Sequence, residues 1–324
     1  MRVTKLSISI LIILLIALFF FQCKESETTK PEPEPSADLD WCPGKGSPDP
    51  AHKNRLRLAT WNMENLHAKD GESVFSNSVK RTATDYERIR CYIRLINPDI
   101  LAVQEVDGEE ALQRVVDADV YYVHVSGRPA GDKNGEQNTG FIYKKGLDVT
   151  VKPDYRDLDI DNDLRLRYGA RLDVKVNDVT LRLMSVHLKS GCFSNSDTNS
   201  SCDVLYEQTG VLEQWIDAAA LRPEPFILLG DFNRRFNLPD DIVWAEIDDQ
   251  DPPNADLETI TNGRPFSCCD YGYTEYIDHI VFDKRSIAWV DTSSFRQISF
   301  RQEDEEVWDK LSDHCPVVIE IVIN

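Results

Sequence analysis

Between Pro225 and Gly230, four apolar residues (Phe226, Ile227, Leu228 and Leu229) follow one another without a polar interruption. A run of that length, bounded by Pro and Gly, reads as a strand covered on both faces, and such a strand requires a layered fold around it. The run leads into Gly230-Asp231-Phe232-Asn233. Residues two apart on an extended chain share a face, so Asp231 and Asn233 are predicted to converge at the strand's exit. Gly-Asp-x-Asn is also good turn chemistry, and on this stretch alone both readings stand. Polar side chains at the exit of a buried strand are either held by hydrogen bonds or kept for a ligand.

The same arrangement recurs along the chain. Residues 55–61 alternate, turn apolar and end at Asn62. Tyr86, Ile89, Ile93 and Ile96 have helical spacing and stop before Asn97-Pro98. Residues 99–103 read as a short buried strand delivering Gln104-Glu105. A helix is predicted over 109–116, with strands over 120–125, 139–144, 171–176 and 180–188, the last carrying His187. An amphipathic helix over 204–220 precedes the Phe226 strand. Two further strand-like runs, 276–281 and 313–319, bring Asp278 and His314. Strands and helices alternate loosely with many hairpin-like neighbours, which points to sheets packed together and flanked by helices. Polar residues gather where strands end, and strand ends on one edge of a layered sheet form a crevice for a ligand.

The N-terminus is of another kind. Arg2 and Lys5 precede a nearly unbroken apolar stretch up to Phe21, followed by Gln22-Cys23. This has the form of a secretory signal over residues 1–22, with Cys23 placed where a bacterial lipoprotein is cut and lipidated; an uncleaved anchor is the alternative. Residues 23–53 are rich in Pro, Glu, Ser and Thr and read as a disordered tether, since they cannot bury enough apolar surface to fold. Residues 54–324 form the expected domain. The chain is thus expected outside the cytoplasm, membrane-anchored or secreted, and monomeric. With 56 acidic against 36 basic residues the net charge is −20. That surface repels polyanions at long range and argues against tight, salt-sensitive nucleic-acid binding, though not against a nuclease with local phosphate contacts.

The chain has no Gly-x-Ser-x-Gly elbow, His-Glu-x-x-His helix or phosphate-cradling glycine loop. Carboxylates, amides and a few histidines remain, and hard oxygen ligands of this kind suit Mg²⁺, Mn²⁺ or Ca²⁺. A histidine paired with a carboxylate can serve as a general base on water. Together these groups point to metal-assisted phosphoester hydrolysis.

The fragments Thr60-Trp61-Asn62-Met63-Glu64, Val103-Gln104-Glu105, Ser185-Val186-His187, Gly230-Asp231-Phe232-Asn233, Ile277-Asp278-His279 and Leu311-Ser312-Asp313-His314 resemble the endonuclease/exonuclease/phosphatase superfamily. That group includes pancreatic-type deoxyribonucleases, 5-phosphatases and bacterial sphingomyelinases. The resemblance implies an α/β fold, a four-layer sandwich of two mixed β-sheets packed face to face with helices outside, as in deoxyribonuclease I. It implies that Glu105 is the main ligand of a Mg²⁺ ion, with Asn62 and Asp313 at the same centre. His314 would activate water with Asp278 fixing its tautomer, while Asp231 and Asn233 orient the water and stabilise the transition state. His187 would protonate the leaving oxygen, oriented by Gln137. Arg167 stands where relatives carry a phosphate-contacting arginine, and a surface charge is the competing reading. His279, one residue past the aspartate, is expected to point away and be structural.

Asn233-Arg234-Arg235 departs from the 5-phosphatase pattern, and the run Ser185 to Ser190 is closer to secreted nucleases than to sphingomyelinases. Lys189, Arg234 and Arg235 could supply local positive charge to a phosphodiester backbone. DNA is therefore the expected substrate of a metal-dependent endonuclease. A phosphatase or sphingomyelinase-type enzyme of the same superfamily and a non-catalytic binding lipoprotein are the alternatives. Of eight cysteines, lipidation of Cys23 leaves seven, an odd number. Cys192 and Cys202 flank a polar loop and are expected to bridge, worth about 2–3 kcal/mol in the chain-entropy view. One of Cys268 and Cys269 is expected to pair with Cys42 or a loop cysteine, and Cys315, in an apolar run, to be an inert thiol.

Overall fold

A computed structural model describes residues 39–129, 136–162, 164–268 and 274–323. The leader, Cys23, Cys269 and the aromatics Tyr271 and Tyr273 lie outside the described residues. Among the described residues no helix is long and apolar enough to cross a membrane.

Twelve strands form two six-stranded sheets. The first holds β1 (Arg55–Leu66), β2 (Ile100–Val106), β3 (Tyr121–Val125), β4 (Asn138–Lys144), β11 (Val290–Gln297) and β12 (Val317–Val322) in the order β11-β12-β1-β2-β4-β3. The second holds β5 (Asp148–Tyr155), β6 (Gly169–Val176), β7 (Val179–His187), β8 (Phe226–Asp231), β9 (Leu257–Thr259) and β10 (Asp278–Asp283) in the order β5-β6-β7-β8-β10-β9. Each sheet is mixed, with one parallel pair, β1–β2 in the first and β7–β8 in the second. The helices are α1 (Ala83–Ile96), α2 (Glu109–Val115), α3 (Ser200–Ala220), α4 (Ile242–Ile247) and α5 (Trp308–Leu311).

Side-chain alternation builds the layers. Leu56 and Leu58 of β1, with Ile227 and Leu229 of β8 and Ile280 of β10, form the core between the sheets. The opposite face of β1, Ala59, Trp61 and Met63, packs with Tyr86, Ile89 and Ile93 of α1. The opposite face of β8, Phe226 and Leu228, packs with Leu205, Leu212 and Ile216 of α3. The result is the expected four-layer sandwich, helices outside two facing sheets.

Caps set the helix boundaries. Thr82 and Asp85 form a reciprocal capping box at the start of α1, and Asn97 ends it in the left-handed conformation ahead of Pro98. The helix predicted from 204 begins instead at Ser200, because Asn199 accepts from the Ser201 backbone and supplies an earlier cap. The tether ends sooner than expected. Residues 39–53 belong to the domain: Trp41 packs on Tyr92 at 5.0 Å and Cys42 is bridged to Cys91. Cys42 therefore does not pair with Cys268 or Cys269. Cys192–Cys202 forms as expected. Cys315 is no inert thiol, since it is bridged to Cys268, which a burial argument from its own strand could not foresee.

Candidate active site

The parallel pairs carry their C-terminal ends to one edge of the sandwich. β7 and β8 pair in register up to His187 opposite Asp231, and β10 begins at Asp278, paired antiparallel with Asp231. β1 and β2 pair through Asn62 and Gln104 before the register shifts. Asp313 and His314 lie just before β12, in the turn and not on the strand.

One atom is the hub. Asp231 Oδ2 accepts from Asn62 Nδ2 at 3.0 Å and from Asn233 Nδ2 at 3.1 Å. The same oxygen lies 3.6 Å from His187 Nε2 and 3.9 Å from His314 Nε2. His187 Nε2 is 3.7 Å from Glu105 Oε1, and His314 Nε2 is 3.8 Å from Asp313 Oδ1. These longer separations are beyond direct hydrogen bonding. His314 Nδ1 is 2.7 Å from Asp278 Oδ2, a direct bond. The sequence expectation of an extended Asp231–Asn233 pair is corrected in form: Asn233 is left-handed (φ +53) and its N–H donates to Asp231 Oδ1 at 2.7 Å. The two residues converge through a turn, not through strand periodicity.

Electrostatics distinguish the two histidines. Burial works against a charged His314, but the carboxylates of Asp278, Asp231 and Asp313 outweigh it and hold its pKa well above the ordinary value. Burial, with the Arg167 and Arg128 guanidinium groups and His314, pushes His187 well below it, so His187 is neutral. Asp231 is pushed up to about 7, chiefly by burial and then by Asp278.

Glu105 sits at the end of β2 with φ +58, uncommon for a residue with a side chain, and accepts from the Asn65 N–H at 3.2 Å. Glu64, to which sequence reasoning assigned no role, accepts from the Asp313 N–H at 3.0 Å. Burial and then the Asp313 charge push Glu64 up to about 7, and Glu105 adds to the effect. Burial of Glu64 and its repulsion by Asp313 and Glu105 put three hard-oxygen groups with surplus negative charge in one neighbourhood, the chemistry a divalent cation takes. The close set by distance at the site is Asp231, Asp278 and His314, whose ligand atoms lie within 4.8 Å of one another. Arg81, fully buried, donates to the carbonyls of Met63, Lys310 and Leu311 and so locks the Glu64 and Asp313 segments together. Its place in a polar stretch gave no signal of this, whereas Glu64, an acid two residues past Asn62, did.

The remaining candidates sort plainly. The Arg167 guanidinium turns inward to bond Gln137 and is not a surface charge. Burial lowers its pKa, against the pull of Glu105 and Asp231. Gln137 donates to Asn65 Oδ1 at 2.8 Å and does not orient His187, whose Nδ1 has no hydrogen-bond partner. Arg234 cannot touch a substrate: it is wholly buried, 2.6 Å from Asp241, and donates to the Cys192 carbonyl. Arg235 does line the cavity, and Lys189 is bonded to the Ser190 carbonyl. His279 is structural as expected, bonded to the Arg234 carbonyl and to Thr261.

The sequence matches the endonuclease/exonuclease/phosphatase family over residues 59–314. No curated protein matches it. Solved structures share the fold, and three of them show how far the likeness reaches. One is D. rerio TDP2 complexed with single strand DNA product (18% identity, TM-score 0.55, covering 82% of this chain and 98% of that one). Another is the human Nocturnin catalytic domain (16%, 0.54, 84% and 95%), and a third the 3' phosphatase NExo from Neisseria bound to product DNA hairpin (17%, 0.50, 82% and 99%). The family match takes in every strand end that builds the cluster around Asp231, and the chain therefore belongs to the endonuclease/exonuclease/phosphatase family of phosphoester hydrolases.

Proposed function

We propose that the protein is a divalent-cation-dependent phosphodiesterase that cleaves DNA outside the cytoplasm. The observation that carries this is the His314–Asp278 bond aimed, through His314 Nε2, at the Asp231 hub. In this reading Asp278 accepts a hydrogen bond from His314 Nδ1–H, so that Nε2 is the basic nitrogen and takes the proton of an attacking water. Asp231 Oδ2, fixed by Asn62 and Asn233, orients that water. Asn62 has a second amide hydrogen for the charge that builds on phosphate, and Arg167 supplies a half-buried cation beside Glu105. His187 is neutral, so it assists the leaving oxygen as an Nε2–H donor and not as an imidazolium acid.

Glu105, Glu64 and Asp313, with Asn62, would hold Mg²⁺, with Mn²⁺ or Ca²⁺ as substitutes. When bound, the cation supplies Lewis-acid stabilisation of phosphoryl charge. DNA is favoured by the structural neighbours solved with DNA products and by the cavity of about 220 Å³ beside His314, with Phe193, Phe266 and Arg235 in its walls. The three disulfides support an extracytoplasmic location. Cys23 is proposed as the lipid anchor, and Cys23→Ala should move the protein from the membrane to the soluble fraction; continued membrane retention would indicate an uncleaved leader.

The deciding experiment incubates the protein with supercoiled plasmid and Mg²⁺ or EDTA, with sphingomyelin and an inositol phosphate in parallel. Metal-dependent nicking, lowered by about 10²- to 10⁴-fold in His314→Ala with the fold intact, is the expected result. Release from the lipid or inositol phosphate with the plasmid untouched would move the substrate. Inactivity in all three arms would make the chain a binding protein.

A further inference from the structure

The Cys268–Cys315 disulfide is unlike the other two in where it stands. Both half-cystines line the cavity beside the catalytic pair, and Cys315 directly follows His314. Cys268 belongs to the connection between β9 and β10, where residues 264–268 have no strand partner. Their hydrogen bonds run elsewhere. Ser267 N–H donates to Gln297 Oε1 at 2.6 Å, the Arg264 guanidinium to the Thr292 carbonyl at 3.0 Å, and Tyr276 OH to the Pro265 carbonyl at 2.8 Å. None of these reaches the turn that carries His314, to which the disulfide is the covalent tie.

His314 itself is held independently of the bridge. Its N–H donates to Ser312 Oγ at 3.0 Å, its carbonyl accepts from Trp61 Nε1 at 3.0 Å, and its Nδ1 meets Asp278 at 2.7 Å. The opposite wall of the cavity, which presents Phe193, is also secured twice. Beyond the buried Cys192–Cys202 bridge, Arg234 bonds the Cys192 carbonyl and Asp241. The wall carrying Phe266 has hydrogen bonds to β11 and ring packing on Tyr276, but its covalent tie to the His314 turn is this disulfide, whose Cys268 is only partly buried at the cavity.

We propose that the Cys268–Cys315 disulfide is a positioning device for the substrate side of the site. It clamps the Phe266 segment against the turn that carries His314, and opening it weakens substrate binding while sparing the chemical step. The proposal rests on the hydrolase reading above. A dithiol opens the bridge by exchange: the S–S bond breaks, both cysteines take up an electron and a proton, and the dithiol is oxidised to its own disulfide. The oxidised enzyme is then the tight-binding form, as suits a compartment without a reducing thiol pool.

The test compares the full chain, in a Cys269→Ser background that excludes exchange with the neighbouring cysteine, with and without Cys268→Ala plus Cys315→Ala. A fluorogenic DNA oligonucleotide is the substrate. The expected result is a KM raised about tenfold, with kcat and its pH profile nearly unmoved. Dithiothreitol should reproduce the KM change in the bridged protein, reverse on reoxidation and do nothing to the bridgeless one. Hydrogen exchange should show lost protection at residues 264–268 and retained protection at 311–316. An unchanged KM with 264–268 still protected would overturn the proposal, as would a fall in kcat at constant KM, which would mean that the bridge places His314. If even the bridged protein cleaves no phosphodiester, the hydrolase reading has failed. Hydrogen exchange then decides the clamp alone, with loss confined to 264–268 supporting it and no loss refuting it.

Discussion

Asp231 Oδ2 faces two amides and two imidazoles, and what the imidazoles do depends on which charge each environment favours. His314 gains from three carboxylates, and its pKa lies above the ordinary histidine value. A general base works only when neutral, so with His314 as the base the raised pKa displaces the acid limb of the kcat/KM–pH profile upward, and activity rises with pH through that limb. Asp278→Asn removes the largest of the raising influences and leaves an amide that can hold the wrong tautomer. The limb should move to lower pH while the plateau falls by about 10²- to 10⁴-fold. A full pH–rate profile of the variant checks both, and a limb that stays in place would assign it to another group. Much of this cluster was legible in the sequence because each member borders an apolar run. The roles of Arg81 and Arg234 were not, since they depend on which backbone segments lie side by side, and a linear pattern does not encode that.

The strand ends are where local sequence and fold agree most closely, and Gly230 is the point on which two of them meet. Its φ is +154, and a Cβ there would lie 2.0 Å from the Val186 carbonyl oxygen on the neighbouring parallel strand. Only glycine lets β8 run beside β7 and still turn Asp231 toward His187. Gly230→Ala should cost about 2 kcal/mol or more, from strain and from the strand shift it forces. Denaturant unfolding would show the loss, and a variant as stable as the parent would mean that β8 shifts freely. The apolar run predicted this strand correctly. It did not predict β5 or β11, whose residues are partly exposed and polar and lack the period that a one-sided or buried strand shows. The disulfides were legible only where a short loop joins the two cysteines. Cys268–Cys315 spans 47 residues, across an association of two segments that only the folded sheets bring about.

At the scale of the whole molecule, charge and the proposed substrate oppose each other. The net charge is −20, and the cations at or near the site are few: Arg128, Arg167, Lys189 and Arg235. A basic nuclease gains affinity by displacing counterions, and one with 6–10 phosphate contacts loses roughly 10³- to 10⁵-fold in binding between 50 and 200 mM salt. Here long-range repulsion should dominate at low ionic strength, where the screening length is about 30 Å at 0.01 M, and fade near 0.15 M, where it is about 8 Å. The expected kcat/KM for DNA therefore stays flat or rises over that range, because screening relieves repulsion faster than it weakens the few local contacts. Measuring kcat/KM on duplex DNA against added NaCl at fixed Mg²⁺ tests this, with a small neutral-bodied phosphodiester run beside it to remove salt effects on the chemical step. A steep fall with salt would show that a basic surface governs encounter despite the overall charge. A flat or rising slope would place recognition in the cavity itself, between the Asp231 cluster and the disulfide-clamped wall.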